Sequence, residues 1–202
     1  KWECSIRYFK MKKIAITGGV GSGKTHISNM FFKLGIPIFT SDDRAKKIIN
    51  SNIHVKNKLI NHLGKDCYRS NKLNKEYVSD LIFNDKSKLQ LINSIVHPFV
   101  KMDYENWLHN QVAPYSVYES AIIFENNSEN NFDKVIGIVS DVKLRHSRLL
   151  SRGMSSSSIK NIINNQVTDA LIVKLSDFII YNNVNADLIN DVNKIHLEIL
   201  NH

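Results

Sequence analysis

The sequence predicts an α/β fold in which helices flank a five-stranded parallel sheet. Short apolar runs alternate with stretches of helical periodicity, a glycine-rich turn joins the first run to the first helix, and a purely helical region follows the second run. Successive strand–helix units favour parallel strands that are joined by right-handed crossovers. A chain of 202 residues can bury such a core as one domain with an inserted piece.

The first two strand–helix units lie at the start of the chain. Residues 14–17 form an apolar run before the glycine-rich turn, and residues 24–34 carry apolar side chains at helical spacing before Gly35. Residues 36–39 predict a second strand, and the following Thr-Ser-Asp-Asp segment is a natural cap for a helix that extends to about Asn50.

The middle of the chain reads as a helical insertion. Strand patterns vanish between residues 53 and 112, and helical patterns take their place, at 55–63, 76–83, 88–96 and 98–111. Strand patterns then return, and the remaining predicted elements are strands at 115–121, 135–139 and 178–181, a helix at 142–151, further helix up to about 174, and a terminal helix at 186–200.

Residues 1–10 precede the first predicted strand and are interpreted as an N-terminal extension. Gly153 and the serine run at 155–158 indicate a mobile junction of the kind that lids contain.

Composition excludes several classes of protein. The formal net charge is +8, yet no basic block of five or six residues occurs, so a solvated basic surface is favoured over a nucleic-acid interface. The two cysteines indicate neither a disulfide framework nor a zinc site. Apolar runs stay below the roughly 18 residues that span a bilayer, and no secretory signal pattern opens the chain. We therefore expect a soluble, cytoplasmic protein without a membrane partner.

The glycine-rich turn carries the chemistry. Residues 18–25, GGVGSGKT, satisfy the pattern G-x-x-x-x-G-K-[ST] between a predicted strand and a predicted helix. Glycines let successive backbone N–H groups point inward as an anion cradle, and the helix N-terminus adds a positive dipole. Lys24 is expected to reach the β- and γ-phosphates of a nucleoside triphosphate, and Thr25 to ligate Mg²⁺.

Two carboxylates are expected near this turn. Open parallel sheets bind ligands beyond the carboxyl ends of their strands, which is where Asp42 and Glu119 are predicted. Either could hold a Mg²⁺-bound water or accept a proton from an attacking hydroxyl. The alternative interpretations are that Asp42 only caps a helix and that Glu119 is only a charged residue at the edge of the sheet.

Three arginines are predicted on one helical stripe. Arg145, Arg148 and Arg152 are spaced i, i+3 and i+7, which suits neutralisation of a triphosphate. A solvated basic face would give the same pattern.

With these residues in place, the chain resembles the dephospho-coenzyme A kinase family of P-loop kinases. The resemblance runs from Met11 almost to the C-terminus and rests on an ordered set of segments. They are TGGVGSGK at 17–24, GIPIFTSD at 35–42 with Ala45, LN at 73–74 with Phe83, LINSIVHP at 91–98, ESAIIFE at 119–125, Gln166, and SDFIIYNN at 176–183.

The resemblance implies a P-loop NTPase three-layer fold and transfer of the ATP γ-phosphate to the 3′-hydroxyl of dephospho-CoA, with Mg²⁺ as cofactor. It also implies a nucleotide-binding core at residues 11–42, 113–150 and 169–202, a helical CoA-binding insertion at residues 43–112 and a small lid at residues 151–168. It implies Asp42, Lys24 and Arg148 as catalytic residues, Thr25 and Asp42 as metal ligands, and Asp42, His97 and Glu119 as substrate-binding residues. His97 could instead cap the helix predicted to begin at Pro98. The implied nucleotide-binding residues are Gly19, Val20, Gly21, Ser22, Gly23, Lys24, Thr25, His26, Arg148, Arg152 and Asn182.

This chain departs from the family pattern at three places. Thr40 replaces the first acid of an Asp-x-Asp element, Lys46 stands where arginine is common, and residues 154–158 lack the usual acidic side chains. Because Thr40 has no carboxylate to contribute to a metal site, Asp42 is expected to carry the catalytic role. The alternatives are a nucleoside or nucleotide monophosphate kinase, and a nucleotide-sensing protein without transferase activity. A small-molecule substrate, no nucleic acid, and a monomer or weak homo-oligomer are expected.

Overall fold

A computed structural model describes residues 11–85 and 87–201, so the extension predicted at 1–10 lies outside the described residues. The sequence-predicted five-stranded parallel sheet is confirmed. Its strands lie in the order β2-β5-β1-β6-β7, which places the first strand at the centre. They are β1 (Lys12–Gly18), β2 (Ile38–Thr40), β5 (Tyr115–Glu119), β6 (Lys134–Val139) and β7 (Phe178–Tyr181).

Helices make up most of the remaining described residues. In the described chain they are α1 (Lys24–Lys33), α2 (Ser41–Ser51), α3 (Ile53–Leu63), α4 (Lys75–Asn84), α5 (Ser87–Leu108), α6 (Val142–Leu150), α7 (Ser156–Asn164), α8 (Asp169–Leu175) and α9 (Leu188–Asn201). The chain divides into two compact units, one comprising the described residues of Lys1–Phe39 and Gln111–His202, the other Thr40–Asn110.

The first unit has three layers because β1 alternates its side chains between two apolar clusters. Ile14 and Ile16 pack with residues of α1 and α9 on one face, whereas Ala15 packs with Ile172 of α8 on the other. All of these side chains are buried. Burial on both faces explains why the strand reads as a continuous apolar run.

The second unit is helical, but it also contains a small hairpin that no sequence pattern predicted. Strands β3 (Tyr68–Arg69) and β4 (Lys72–Leu73) pair antiparallel. The turn residues Ser70 and Asn71 have φ values of 49° and 63°, as a two-residue hairpin turn requires. Strands of two residues are too short to show an alternating pattern.

The prediction of two helices at 88–96 and 98–111 was also wrong. One helix, α5, runs from Ser87 to Leu108 and contains Pro98. Buried Ile95, Val96 and Val100 lie on both sides of the proline, so packing of one continuous apolar face outweighs the lost backbone hydrogen bond. His97 therefore lies inside a helix and caps none.

Within the described residues, no helix is both long and apolar enough to cross a membrane.

Candidate active site

The glycine-rich loop joins the central strand β1 to α1. Gly21 and Gly23 have φ values of 76° and 97°, a region that favours glycine. Gly23 is the N-cap of α1, and glycine offers no side-chain acceptor for the first amides of the helix. These amides form the positive end of the helix dipole and are suited to an anion.

Side chains behind the loop bind its carbonyl groups. Arg148 donates from Nη1 to the carbonyl oxygens of Gly21 at 3.2 Å and Ser22 at 3.4 Å, and Asn182 donates from Nδ2 to Ser22 at 2.7 Å. In a planar trans peptide the N–H points opposite to the C=O. Holding these carbonyls therefore turns the N–H groups of the following residues toward the opposite side of the loop.

The carboxyl edge of the sheet supplies these supporting groups. Asn182 follows β7 and is 6 % exposed, and Ser140 follows β6. The Ser140 hydroxyl donates to the Asn182 carbonyl at 2.8 Å and accepts from Arg148 at 3.2 Å. A Cβ on Gly23 would lie 2.0 Å from Asn182 Nδ2, so this approach requires glycine.

Lys24 contacts its own loop. Its Nζ lies 2.9 Å from the carbonyl oxygen of Gly18 and 3.4 Å from that of Gly19. Both contacts are to neutral acceptors. A phosphate oxygen would give the ammonium group a stronger, charge-assisted bond.

The structure brings Thr25 and Glu119 together. Thr25 Oγ1 donates to Glu119 Oε1 at 2.7 Å, and Glu119 is only 5 % exposed at the end of β5. Its Oε2 atom is buried without a hydrogen-bond partner among the described residues. A buried, unpaired carboxylate oxygen is costly, and a cation or a hydroxyl donor would satisfy it.

Of the three arginines, Arg145 and Arg148 lie on α6 and bind the glycine-rich loop, whereas Arg152 lies outside this helix. Arg145 is 3 % exposed and pairs with Asp169 at 2.9 Å, so a solvated basic face is wrong for this residue. Arg152 is exposed and lies beyond α6, which ends at Leu150. The amides of Gly153, whose φ is 81°, and Met154 bond back to Leu150 and Leu149, and this turn terminates the helix.

Asp42 and His97 belong to the second unit. Asp42 is exposed in the first turn of α2, whose N-cap is Thr40, so Asp42 does not occupy the capping position. His97 is half-buried in α5, and burial lowers its pKa. His26 is exposed in the first turn of α1.

No sequence pattern predicted the contacts at the tip of the loop. Gln166 Oε1 accepts the Val20 N–H at 2.7 Å, and Arg145 Nε donates to the Val20 carbonyl at 2.9 Å. The partners of the Gln166 bond are 146 residues apart, so no local spacing could reveal it. Gln166 stood out in the sequence only through the family resemblance.

The glycine-rich loop has the sequence of a phosphate-binding loop and follows the central strand of a five-stranded parallel sheet. This combination defines a P-loop α/β protein. The family model for dephospho-CoA kinase matches residues 12–187 of this chain. A dephospho-CoA kinase from a gamma-proteobacterium is 34% identical over 194 residues, covering 93% of this chain and 98% of that protein. The chain belongs to the dephospho-CoA kinase family.

Solved structures show the same fold. A Thermus thermophilus protein has a TM-score of 0.83 at 21% identity, covering 93% of this chain and 97% of that one. A dephospho-CoA kinase from Campylobacter jejuni has a TM-score of 0.66 at 22% identity, covering 94% and 97%. At these identities the likeness concerns the fold alone.

Proposed function

We propose that this protein is a dephospho-CoA kinase that transfers the γ-phosphate of ATP to the 3′-hydroxyl of dephospho-CoA and releases CoA and ADP. The observation that carries the proposal, beside family membership, is the bond of Thr25 to Glu119. It places a buried carboxylate with an unpaired oxygen against the hydroxyl of the phosphate-binding loop.

ATP binds at residues 19–26 in this proposal. The loop amides and the N-terminus of α1 hold the phosphates, and Lys24 exchanges its carbonyl contacts for phosphate oxygens. Arg148 and Arg152 balance charge on the nucleotide, and Asn182 lies on the adenine side. Arg148 and Asn182 also hold the loop carbonyls.

The residues present fit Mg²⁺. Among the described residues no group of three or more His, Cys, Asp or Glu could hold a metal ion alone. Magnesium usually takes one or two protein oxygens, substrate phosphates and water, so it needs no such cage. The Thr25 hydroxyl and Asp42 would hold it, and the free Oε2 of Glu119 suits one of its waters. Bound Mg²⁺ would neutralise charge on the β- and γ-phosphates.

Residues 43–112 bind dephospho-CoA, with His97 and Glu119 on the acceptor side. The 3′-oxygen forms a bond to the γ-phosphorus, the bond from that phosphorus to the β,γ-bridging oxygen breaks, and Asp42 accepts the hydroxyl proton. Positioning supplies most of the rate, since little covalent chemistry is left to the protein.

A panel of acceptors tests this proposal. Purified protein is offered ATP·Mg²⁺ with dephospho-CoA, AMP, CMP, dTMP or shikimate, and ADP release is measured by a coupled assay. We expect turnover with dephospho-CoA, and its loss in Lys24→Ala at unchanged melting temperature. Turnover of another acceptor without dephospho-CoA would reject the proposal, and so would an active Lys24→Ala protein.

The proposal also covers the cellular compartment, the oligomeric state and nucleic-acid binding. We propose a cytoplasmic enzyme, a monomer or weak homo-oligomer, that binds no nucleic acid. The free, buried thiol of Cys67 is compatible with a reducing compartment. Light scattering after size exclusion tests the assembly state, and salt-dependent DNA or RNA binding would contradict the last point.

A further inference from the structure

We propose that Arg145, Gln166 and Asp169 act as one positioning device, the Val20 clamp, which sets the loop tip for ATP. This inference rests on the proposed use of ATP, and it adds a role for three residues outside the loop motif. Each member is tied to Val20 or to another member by a hydrogen bond.

The clamp holds the two peptide groups on either side of Val20. Gln166 Oε1 accepts the N–H of the peptide that precedes the Val20 Cα, at 2.7 Å. Arg145 Nε donates to the carbonyl of the peptide that follows it, at 2.9 Å. Because each peptide is planar, neither can rotate without breaking one of these bonds.

The bond from Arg145 also orients the next amide. The Val20 carbonyl and the Gly21 N–H belong to one trans peptide, so they point in opposite directions. With the carbonyl turned to the guanidinium group, the Gly21 N–H faces away from Arg145. It is thereby kept available for an anion inside the loop.

Asp169 fixes the guanidinium group itself. Arg145 Nη1 donates to both carboxylate oxygens, at 2.9 and 3.3 Å, and the arginine side chain is only 4 % exposed. Arginine binds the carbonyl through Nε and the carboxylate through Nη1 in one fixed, planar geometry, which the single nitrogen of lysine does not provide. A Cβ on Gly19 would lie 2.2 Å from Arg145 Nη2, so the loop glycine permits this close approach.

The clamp links distant parts of the chain to one loop residue. Arg145 comes from α6, Gln166 from the segment between α7 and α8, and Asp169 from the first turn of α8. Arg145 is buried and its removal would leave Asp169 unpaired, so it is a poor target for a test. Asp169 is 28 % exposed and can be made neutral at constant shape.

The test compares Asp169→Asn and Gln166→Ala with two matched controls. Asp177→Asn removes the carboxylate of another 2.9 Å ion pair, that of Lys134 at the opposite end of the sheet. Asn164→Ala shortens an exposed side chain two residues before Gln166. The Kd for ATP·Mg²⁺ is measured by calorimetry without acceptor, together with the KM of each substrate.

We expect both clamp variants to raise the Kd and the KM for ATP about tenfold, as for loss of one hydrogen bond that orients a charged ligand. The KM for dephospho-CoA should stay within about twofold. In the double variant the Kd for ATP should rise by a smaller factor than the product of the two single-variant factors, because the three residues act as one unit. Asp169→Glu, which keeps the charge, should recover part of the affinity.

The proposal is overturned if both clamp variants bind ATP within about twofold of the natural sequence, or if Asp177→Asn weakens binding equally. Calorimetry uses no dephospho-CoA. A protein that binds ATP through the clamp but phosphorylates another acceptor would therefore overturn the proposed function and leave the clamp standing.

Discussion

Glu119 and Thr25 show how one residue pair joins the sheet to the loop. Parallel pairing sets Glu119 opposite Ile16, two residues before the end of β1, so its side chain lies beside the start of the loop. One carboxylate oxygen accepts from Thr25 at 2.7 Å, and the other is buried without a partner among the described residues. Glu119 Oε2 is therefore an unsatisfied hydrogen-bond acceptor near the place where the phosphates are proposed to bind.

Asp42 is the residue on which the proposed proton transfer depends. Asp42→Asn should lower kcat by about 100-fold or more, the usual contribution of a general base, at unchanged melting temperature. Its matched control is Asp43→Asn in the same helical turn, where Asp43 is exposed and pairs with Lys46 at 2.9 Å. That variant should keep kcat within about twofold, since exposed ion pairs contribute little.

Steady-state kinetics with both substrates saturating measure this difference. If Asp42→Asn retains full turnover while Glu119→Gln loses it, the base is Glu119 and the proposed role of Asp42 is wrong. If kcat falls equally in Asp42→Asn and Asp43→Asn, the effect comes from the helix dipole of α2 and not from proton transfer.

At the scale of elements, how close a helix lies to the sheet depends on a single glycine. Gly137 lies at the middle of β6, under α8. A Cβ there would lie 2.5 Å from Ser176 Oγ and 2.7 Å from Ile172 Cγ2. Ile172 is 1 % exposed, and protein interiors are closely packed, so moving its side chain would displace neighbouring residues. The glycine thus sets the distance between α8 and the sheet.

Gly137→Ala should lower the free energy of unfolding by about 1–3 kcal/mol through overpacking. Gly153→Ala is the matched control, because nothing lies within 4 Å of its Cβ position but its φ is 81°. That variant should cost about 1 kcal/mol through backbone strain alone. Urea denaturation measures both. A Gly137→Ala protein as stable as the natural sequence would show that α8 can move away from the sheet without cost.

Elements that bury one long apolar face could be predicted from sequence, and short or interrupted ones could not. All five strands of the main sheet were found, because each contains apolar side chains that pack into the core beside the sheet. The two-residue strands of the hairpin have no period, and Pro98 suggested a boundary that packing overrides. At the site, the loop motif is local in sequence, whereas the Gln166 contact joins residues 146 positions apart.

At the scale of the whole molecule, each of the two units contains a histidine whose pKa is lowered by burial. His196 of α9 contacts the Tyr115 hydroxyl, with 2.6 Å between Nδ1 and Oη, and Tyr115 is fully buried in the first unit. His97 lies in α5 of the second unit. Burial also raises the pKa of Tyr115, so the tyrosine stays protonated and can donate to a neutral His196.

Both units should therefore lose stability in mild acid. A histidine with a lowered folded-state pKa binds fewer protons folded than unfolded, so the unfolding free energy rises with pH in that interval. The contribution is complete above the ordinary value of 6.5 and is lost as the pH falls through the lower folded value. Melting temperatures at pH values of about 7.5 and 5.5 measure this loss of stability.

We expect His196→Gln and His97→Gln each to reduce the fall in melting temperature between these two pH values. His62→Gln, which alters an exposed residue of α3, should leave this fall unchanged. An equal drop in all four proteins would assign the acid sensitivity to groups other than these two histidines.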